Sequence, residues 1–495
     1  MKKILIILIM VFVTGSCDDG FDEINVNPTK PTQLDPSTKL TYTQLYTGGS
    51  SYVAHLFYNV IHLMQNVQHL NNTSYISFVY KEGSTEWLFE EQYKTTVKSI
   101  VDLEAQLLES EDPTAEADLA IARIQKVLIF SRLTDAYGDI PYSEAGKGFL
   151  EGIRFPAYDK QSDIYADMLS LLESSSTTLS QGGPNSYGSA DLMFGGDNEK
   201  WQKFSNSLML RLAMRMVKVD ESAAQSWATK AINGGVMESN SDIAYIKYEN
   251  SSNDGGPNVN PLTKSFTSRA PTQVKISKTF LDFLQERNDP RISVLSSTVD
   301  GDTSPELQSG QDINNPSRGI ANSKPNINLF GGSGVVVYDA PYFFQTYAEV
   351  EFMLAEAAER WGIAGGDVEF HYNAGVKSAM EQLSMYGEGG IISQESIDTY
   401  LVENPFVNGQ ALKMINEQYW VATFGNGLET FSNWKRSGYP NLEPIAVADL
   451  LTNGQIPRRF VYPGSEKLNN PANVEAATDQ QGGDELTTRM WWDVN

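Results

Sequence analysis

Apolar side chains recur with helical spacing over most of residues 37–235. The clearest series has spacings of three and four residues and comprises Trp201, Phe204, Leu208, Leu212, Met216 and Val219. This spacing places the side chains on one face of an α-helix, and that face needs a partner that buries it. The same period occurs in residues 87–108, 115–137 and 164–179, with turn-forming residues between them. We therefore predict helix pairs joined by turns.

The helical pattern returns in residues 341–439. One apolar face there comprises Tyr347, Val350, Leu354, Ala358 and Trp361, and a second helix is predicted over 368–385. Alternating large and small apolar residues in such pairs are typical of tetratricopeptide repeats, although no strict 34-residue period is present. The pattern thus favours degenerate repeats.

Residues 236–340 interrupt the helical pattern with many turn-forming residues. Long loops without regular structure are usually either functional or disordered. Disorder fits poorly, because the segment carries large apolar residues that need burial or a ligand, namely Tyr245, Ile246, Tyr248, Phe266, Phe280, Phe283 and Phe330. We expect a loop-rich insert displayed on the helical scaffold, where binding residues usually lie. Residues 440–495 are predicted to be irregular.

The first 16 residues have the features of a secretory signal, with two lysines, an apolar run and small residues before Cys17. The apolar run of about ten residues is too short to span a bilayer, which takes roughly 20. A cysteine at the cleavage point resembles a bacterial lipobox, so we predict lipidation of Cys17. Residues 17–36 then form a polar tether and residues 37–495 a single globular domain. An ordinary secreted protein is the alternative.

Composition excludes several classes of function. Cys17 is the only cysteine, so no internal disulfide can form. The formal net charge is −25, and loss of Lys2 and Lys3 with the signal leaves 35 basic against 62 acidic residues, a charge near −27. Such a charge repels phosphate backbones, so no nucleic acid partner is expected.

Motifs for catalysis or metal binding are absent from the sequence. His55, His62 and His69 lie seven residues apart, which on a helix separates them by about 10 Å, too far to share a zinc ion. HExxH, CxxC, EF-hand and GxSxG motifs do not occur, and no cofactor is predicted. With 62 carboxylates, a glycosidase pair and a Ca²⁺ site both remain open.

Aromatic residues give the better signal for a ligand. Tyr75, Phe78, Tyr80 and Trp87 lie within thirteen positions and alternate with asparagine, serine and threonine. Ring faces stack on sugar rings or peptide side chains, and amides bind hydroxyl groups, so the mixture suits a neutral polar polymer. The alternative for each ring is packing within the scaffold.

Several blocks of sequence resemble one known family. They are FDEINVNPTKPTQ, DAYGDIPYSEA, WQKFSNSLMLRLAMRM, PYFFQTYAEVEFMLAEAAERWG, EQYWVATFGNGLETFSNWKRSGYP, IPRRFVYPGSE and GGDELTTRMWWD. Together they span residues 21–493 and are similar to the SusD/RagB-type nutrient-binding outer-membrane lipoproteins, in particular the SusD-like 2 branch.

This resemblance implies an all-α fold, with a tetratricopeptide-like helix-pair scaffold and a large loop-rich ligand-binding half. It implies a protein that is not an enzyme and that captures an oligosaccharide or a peptide. Such proteins form the lid of a SusC-type TonB-dependent transporter barrel. Asp18 and Asp19 after the lipidated cysteine resemble a surface-export signal, which implies an anchor in the outer membrane facing the cell exterior.

Specificity is expected where the chain departs from the family blocks, in residues 71–90 and 248–335. The predicted ligand-binding residues are Tyr75, Tyr80 and Trp87 as stacking rings, with Asn253, Asp254 and Asn328 as hydrogen-bonding groups. The matching blocks are expected to serve folding or barrel docking, with Gly138 and Pro141 in a turn and Trp420 and Trp434 in packing. Two other classes of function stay open, a helical glycoside hydrolase and an adhesive surface protein.

Overall fold

A computed structural model describes residues 34–49, 60–69, 86–249, 258–261, 263, 274–297, 324–325, 339–444 and 452–494. These residues form mainly helices, which we number α1 (Pro36–Gly48), α2 (Glu86–Gln92), α3 (Lys98–Leu108), α4 (Ala115–Tyr137), α5 (Gln161–Ser180), α6 (Asn198–Arg215), α7 (Glu221–Asn233), α8 (Lys278–Gln285), α9 (Arg291–Leu295), α10 (Tyr347–Trp361), α11 (Val368–Glu381), α12 (Gln394–Glu403), α13 (Ala411–Ala422), α14 (Gly427–Ser437), α15 (Gly464–Asn469) and α16 (Pro471–Gln481). The short strands are β1 (Val67–His69), β2 (Ala244–Lys247), β3 (Val274–Ile276), β4 (Ser296–Ser297), β5 (Lys324–Pro325) and β6 (Pro341–Gln345).

Helix α6 lies at the centre of the scaffold. Asp197 caps its first turn by accepting hydrogen bonds from the backbone N–H groups of Glu199 and Lys200. Every residue from Phe204 to Arg215 is buried, so the helix is covered on all sides rather than along one stripe. The cause is tertiary packing, since α4, α5, α7 and α10 all contact it.

The predicted helix pairs are present. Helices α3 to α7 pack each against the next, and α10 packs closely against α11. Gly375 on α11 permits this approach, because a Cβ atom there would lie 2.6 Å from the ring of Phe352 on α10. A capping box between Thr346 and Glu349 starts α10. The degenerate large-and-small pattern therefore reflects close helix contacts.

Some predicted boundaries differ from the structure. A π-helical turn at Tyr93–Val97 separates α2 from α3 within the predicted helix 87–108. Helix α11 ends at Glu381 and continues as a 3₁₀ turn to Tyr386. The segment 440–495, predicted to be irregular, contains α15 and α16, whose polar sequences show little apolar period.

The loop-rich insert also contains regular structure, including α8 and α9. Strand β2 near its start pairs antiparallel with β6 at its end, with Lys247 opposite Pro341. The chain therefore leaves the scaffold and returns to it at the same place. This arrangement lets a long insert join the scaffold without displacing α10, which begins directly after β6.

Arginine side chains of α6 form a buried ionic network at the centre of the scaffold. Arg211 Nη2 lies 2.6 Å from Glu349 Oε2 on α10. Arg215 Nη2 lies 2.6 Å from Glu429 Oε2 on α14, and its Nε lies 3.3 Å from Asp135 Oδ2 on α4. Four helices distant in sequence are thus joined by buried charge pairs.

The C-terminal part of the chain joins this network through Asp135. The indole N–H of Trp492 donates to Asp135 Oδ1 at 3.1 Å, and the Tyr165 hydroxyl donates to the same oxygen. Lys435 Nζ donates to the Asp135 carbonyl at 2.6 Å. Burial lowers the pKa of Lys435 to about 7, although Asp135 and Asp493 oppose the shift.

A second buried ionic cluster joins α10 to α13 and α14. Both carboxylate oxygens of Glu356 accept hydrogen bonds from Arg436, at 2.7 and 2.8 Å, and Arg360 adds a third at 2.7 Å. Asn416 on α13 donates to Glu356 at 3.3 Å. Burial alone would raise the pKa of Glu356, but the two guanidinium groups outweigh it and lower this pKa to about 2.

Replacement of Glu356 by glutamine should lower the free energy of unfolding at pH 7 by about 3 kcal/mol, the value that corresponds to its pKa shift. A lowered pKa contributes stability that is present above the unfolded value of 4.5 and is lost as the pH falls through about 2. The difference between wild type and Glu356→Gln should therefore shrink between pH 5 and pH 2. Urea unfolding at several pH values measures it.

The matched control for this experiment is Glu369→Gln, which changes an exposed carboxylate in the first turn of α11. The control should alter the unfolding free energy by less than about 0.5 kcal/mol. A difference for Glu356→Gln that stays constant down to pH 2 would contradict the electrostatic origin of the stabilisation.

Candidate ligand-binding site

A short ladder brings together two segments that are far apart in the sequence. Strand β1 pairs antiparallel with β3, with Val67 opposite Ile276 and His69 opposite Val274. The chain leaves β1 after His69 towards the predicted aromatic cluster, and it enters β3 at Val274 from the loop-rich insert. Both predicted specificity segments therefore join the scaffold at the same end of one ladder.

A third segment of the insert joins the scaffold nearby. Strand β5 lies beside β3 and pairs with β4, with Ser297 opposite Lys324. The two ends of the segment between these strands are thus adjacent. Three separate stretches of predicted specificity residues therefore attach to the scaffold close to one another. Loops that attach close together can contribute to one binding surface.

Gln65 holds these attachment points in place. Its carbonyl accepts a hydrogen bond from the Ser277 hydroxyl, and its side-chain Oε1 accepts one from Thr279 Oγ1 at 2.9 Å. Its Nε2 donates to the carbonyl of Glu443 at 2.7 Å. The residue is buried and has a φ of 53°, a left-handed conformation that costs energy for a non-glycine residue. These bonds compensate for that strain.

Trp420 on α13 packs against α8, beside these attachment points. Its ring makes edge contacts with Phe280 at 4.9 Å and Phe283 at 5.6 Å between ring centroids, and its N–H donates to the carbonyl of Met64 at 2.9 Å. The predicted packing role of Trp420 is confirmed. The two phenylalanines, expected to need burial or a ligand, use the scaffold for burial.

Asn260 attaches the insert to β6. Its Nδ2 donates to the carbonyls of Ala340 and Pro341, at 2.9 and 3.2 Å, and its Oδ1 accepts from the backbone N–H of Thr263 at 3.0 Å. Sequence analysis missed Asn260 and Gln65. Each is a buried polar residue with long-range partners, and the only local signal for Gln65 is a polar position following an apolar run.

Trp87 is the one predicted ligand-binding residue that the structure describes. It is the second residue of α2 and is half-buried. The helix is braced on one side by Phe89, whose buried ring makes an edge contact with Tyr137 on α4, at 5.2 Å between ring centroids. On another side, Glu86 Oε1 accepts a hydrogen bond from the backbone N–H of Gly464 at 2.8 Å. Trp87 therefore starts a fixed helix directly after the predicted aromatic loop.

The other predicted site residues, Tyr75, Tyr80, Asn253, Asp254 and Asn328, lie outside the described residues, as does Cys17. Their roles stay predictions.

The family-like blocks serve packing. Gly138 has a φ of 84°, and a Cβ atom there would lie 2.5 Å from the side-chain amide of Gln481. The carbonyl of Pro141 accepts a hydrogen bond from the Tyr93 hydroxyl at 2.6 Å. Trp434 is buried and donates to the carbonyl of Pro440 at 3.2 Å. These contacts agree with the predicted turn and packing roles.

The carboxylate pair Glu349 and Glu429 is the best described candidate for acid–base chemistry. Burial and the charge of Glu429 raise the pKa of Glu349, whereas Arg211 and Arg215 overcome burial and lower the pKa of Glu429. The Tyr419 hydroxyl lies 3.0 Å from Glu349 and 2.6 Å from Glu429. A glycosidase needs substrate between its carboxylates, and here protein side chains occupy that space.

The described ranges contain neither a cluster of metal-ligating side chains nor a membrane-spanning helix. No group of three or more histidine, cysteine, aspartate or glutamate residues in them could hold a metal ion. His62 is buried, and His69 ends β1. None of the helices within those ranges is long and apolar enough to cross a membrane.

Comparison with known families decides the relationship. Residues 28–463 match the SusD-like 2 family model, described as "Starch-binding associating with outer membrane". The chain belongs to the SusD-like family. Its all-α fold is the SusD-like fold, and the family is associated with the outer membrane and with carbohydrate binding. No curated protein sequence matches the chain significantly.

Solved SusD-like structures superimpose over nearly the whole chain. A chitin-binding protein has 32% identity and a TM-score of 0.81, with 93% of this chain and 100% of that chain covered. A Bacteroidetes SusD-like protein has 27% identity, a TM-score of 0.82 and the same coverage. A chitin-binding SusD homologue from Flavobacterium johnsoniae has 24% identity and a TM-score of 0.72, covering 93% and 98%, which shows the shared fold.

Replacement of Gln65 by alanine should loosen the β1–β3 ladder, because it removes the side-chain bonds to Thr279 and Glu443. We expect a loss of about 1–3 kcal/mol of stability and faster amide exchange in peptides covering residues 66–69 and 274–277. Hydrogen exchange with mass spectrometry measures both segments. Gln394→Ala on exposed α12 is the control. Unchanged exchange in both segments would show that Gln65 does not hold the ladder.

Proposed function

We propose that this chain is a cell-surface nutrient-binding lipoprotein that captures an oligosaccharide and acts as the lid of a SusC-type TonB-dependent transporter. The observation that carries the proposal is the β1–β3 ladder, which joins the aromatic loop and the loop-rich insert at one end. Family membership supports the carbohydrate and outer-membrane parts of this role. The transporter partner is an inference from the family resemblance.

The proposed ligand is a neutral glycan, with chito-oligosaccharides as the first candidates. Stacking rings and amides suit a neutral sugar, and the strongly acidic chain disfavours anionic polymers. A chitin-binding protein is among the relatives above 30% identity. A peptide is the alternative, because rings and amides also bind peptide side chains and backbone.

The proposed location follows from the N-terminal sequence. Residues 1–16 act as the signal, Cys17 carries lipid, and residues 17–36 set the domain off the outer membrane on its outer face. The charge and family association are compatible with this location.

A lid needs only modest affinity for its ligand. If ligand and barrel both favour the closed state, their differential contacts shift the equilibrium without tight capture. A rigid scaffold with a separate loop surface suits this task, since binding then costs little reorganisation of the helices.

Trp87→Ala should weaken capture by about tenfold without unfolding the protein, because a stacking ring is lost from the surface of a braced helix. Titration calorimetry with chitotetraose, and with a peptide mixture in parallel, measures the affinity. Trp361→Ala is the matched control, because Trp361 is also half-buried on a helix and donates a hydrogen bond to Glu221 at 3.2 Å. Unchanged affinity or a collapsed melting curve for Trp87→Ala would assign this ring to the scaffold.

Purification of the lipidated protein from its native outer membrane tests the transporter role. We expect a TonB-dependent barrel to copurify, with glycans in the bound fraction. Crosslinking before solubilisation guards against loss of a weak partner. Absence of a barrel after crosslinking would contradict the lid role, and turnover of a glycan would favour the hydrolase alternative.

A further inference from the structure

One surface loop exposes large apolar side chains that the proposed function does not use. A bridge between Ile140 and Asp159 closes this loop at its base. Near its tip, Phe149 is 92% exposed, Leu150 40% and Phe155 63%. Large apolar side chains that are exposed together often mark an interaction surface. We call residues 147–156 the apolar loop.

The base of the apolar loop is held rigidly by its own carboxylates. Asp159 Oδ2 accepts hydrogen bonds from the backbone N–H groups of Tyr142 and Ser143, at 3.0 and 2.9 Å. Glu144 Oε2 accepts one from the backbone N–H of Ala157 at 2.8 Å. The exposed rings therefore stand on a fixed backbone.

The far side of the loop is bonded to the C-terminal helices. Asn473 Nδ2 donates to the carbonyls of Phe155 and Pro156, both at 3.1 Å, and Asn470 Nδ2 donates to Pro156 at 2.9 Å. Docking of this loop on a partner would need little further ordering, which reduces its entropic cost.

The charge around the loop differs from that of the chain. Residues 144–160 balance three basic side chains against three acidic ones, namely Lys147, Arg154 and Lys160 against Glu144, Glu151 and Asp159, whereas the chain carries −25. Two of the acidic groups are engaged by backbone N–H groups at the base. Because charges beyond about 8 Å are largely screened at physiological salt, an anionic lipid surface meets a locally neutral face rather than the full negative charge of the chain.

The loop also lies near the anchored end of the chain. Lys39, one turn into α1, contacts Asp102 on α3 at 2.5 Å. Gly146 packs against Val101, the residue before Asp102 on α3, since a Cβ added to Gly146 would lie 3.1 Å from Val101 Cβ. The helix that receives the tether and the base of the apolar loop therefore contact neighbouring residues of α3.

We propose that the apolar loop inserts into the lipid surface of the outer membrane as a second contact beside the lipid on Cys17. This inference rests on the proposed membrane anchor. A tether of about 20 residues gives the domain a high effective concentration of lipid, so a few apolar side chains suffice for transient insertion. A protruding ring enters a fluid bilayer without a preformed pocket, whereas a protein partner would need one.

The first test measures partition without the covalent lipid. The full mature chain carrying Cys17→Ser is mixed with vesicles of phosphatidylcholine and phosphatidylglycerol at 3:1, and the vesicle-bound fraction is measured by flotation. The double variant Phe149→Ser/Phe155→Ser should bind at least about tenfold more weakly. Phe370→Ser, at a ring that is 61% exposed on α11, should bind like the parent chain. Melting curves verify that all variants are folded.

The second test measures insertion of the apolar loop into the bilayer in the lipidated protein. Phe149→Trp is placed in vesicles containing brominated lipid, and the indole introduced at position 149 should be quenched strongly compared with one introduced by Phe370→Trp. Equal quenching at both positions, or equal partition of the double variant and its parent, would overturn the proposal. So would loss of a copurifying protein from the double variant without any lipid quenching, which would identify a protein-docking surface.

Failure of the membrane anchor is distinguishable from failure of this inference. Mass spectrometry of the N-terminal residue reports lipid on Cys17 independently. Partition of the Cys17→Ser chain needs neither that lipid nor a transporter.

Discussion

Two arginines near the C-terminal end of α6 impose the main constraint on this structure, because a buried guanidinium group must be paired. Arg211 and Arg215 find their carboxylates on α10, α14 and α4, which lie far apart in the chain. Removing one partner of such a pair leaves an uncompensated charge in a medium that solvates it poorly. The packing of α4, α10 and α14 around α6 places a carboxylate beside each of the two arginines.

Helix α13 connects this ionic network to the candidate binding site. Tyr419 on that helix contacts both Glu349 and Glu429, and the next residue, Trp420, packs under α8 and bonds to the carbonyl of Met64. Gln65 follows Met64 directly and holds the β1–β3 ladder. An unbroken series of contacts thus connects the ionic centre to the attachment points of the proposed ligand loops.

Much of the scaffold was predictable, because a helix that buries one face has apolar residues at regular spacing in its sequence. The residues from Trp201 to Leu212 lie on one buried helix, as their spacing predicts, whereas Met216 and Val219 of the same series follow its last residue, Arg215. Helices α15 and α16 lack this spacing, because their sequences are polar and tertiary contacts stabilise them. The candidate site was predicted only in part. Aromatic clustering predicts a ligand-binding role for Trp87, which stays a prediction, whereas Gln65 and Asn260 act through partners hundreds or tens of residues away.

The sequence alone determined most helices of the scaffold, the family and the exclusion of an internal disulfide, because each depends on local spacing, on blocks of residues or on counts. The tertiary structure decided which charges pair in the core and which loops share one ladder. It also decided that Phe280 is buried and Phe283 half-buried against Trp420, while Phe149 and Phe155 are exposed. The physical reason is that hydrogen bonds, ion pairs and burial depend on partners distant in sequence, and such partners leave no periodic pattern near the residue itself.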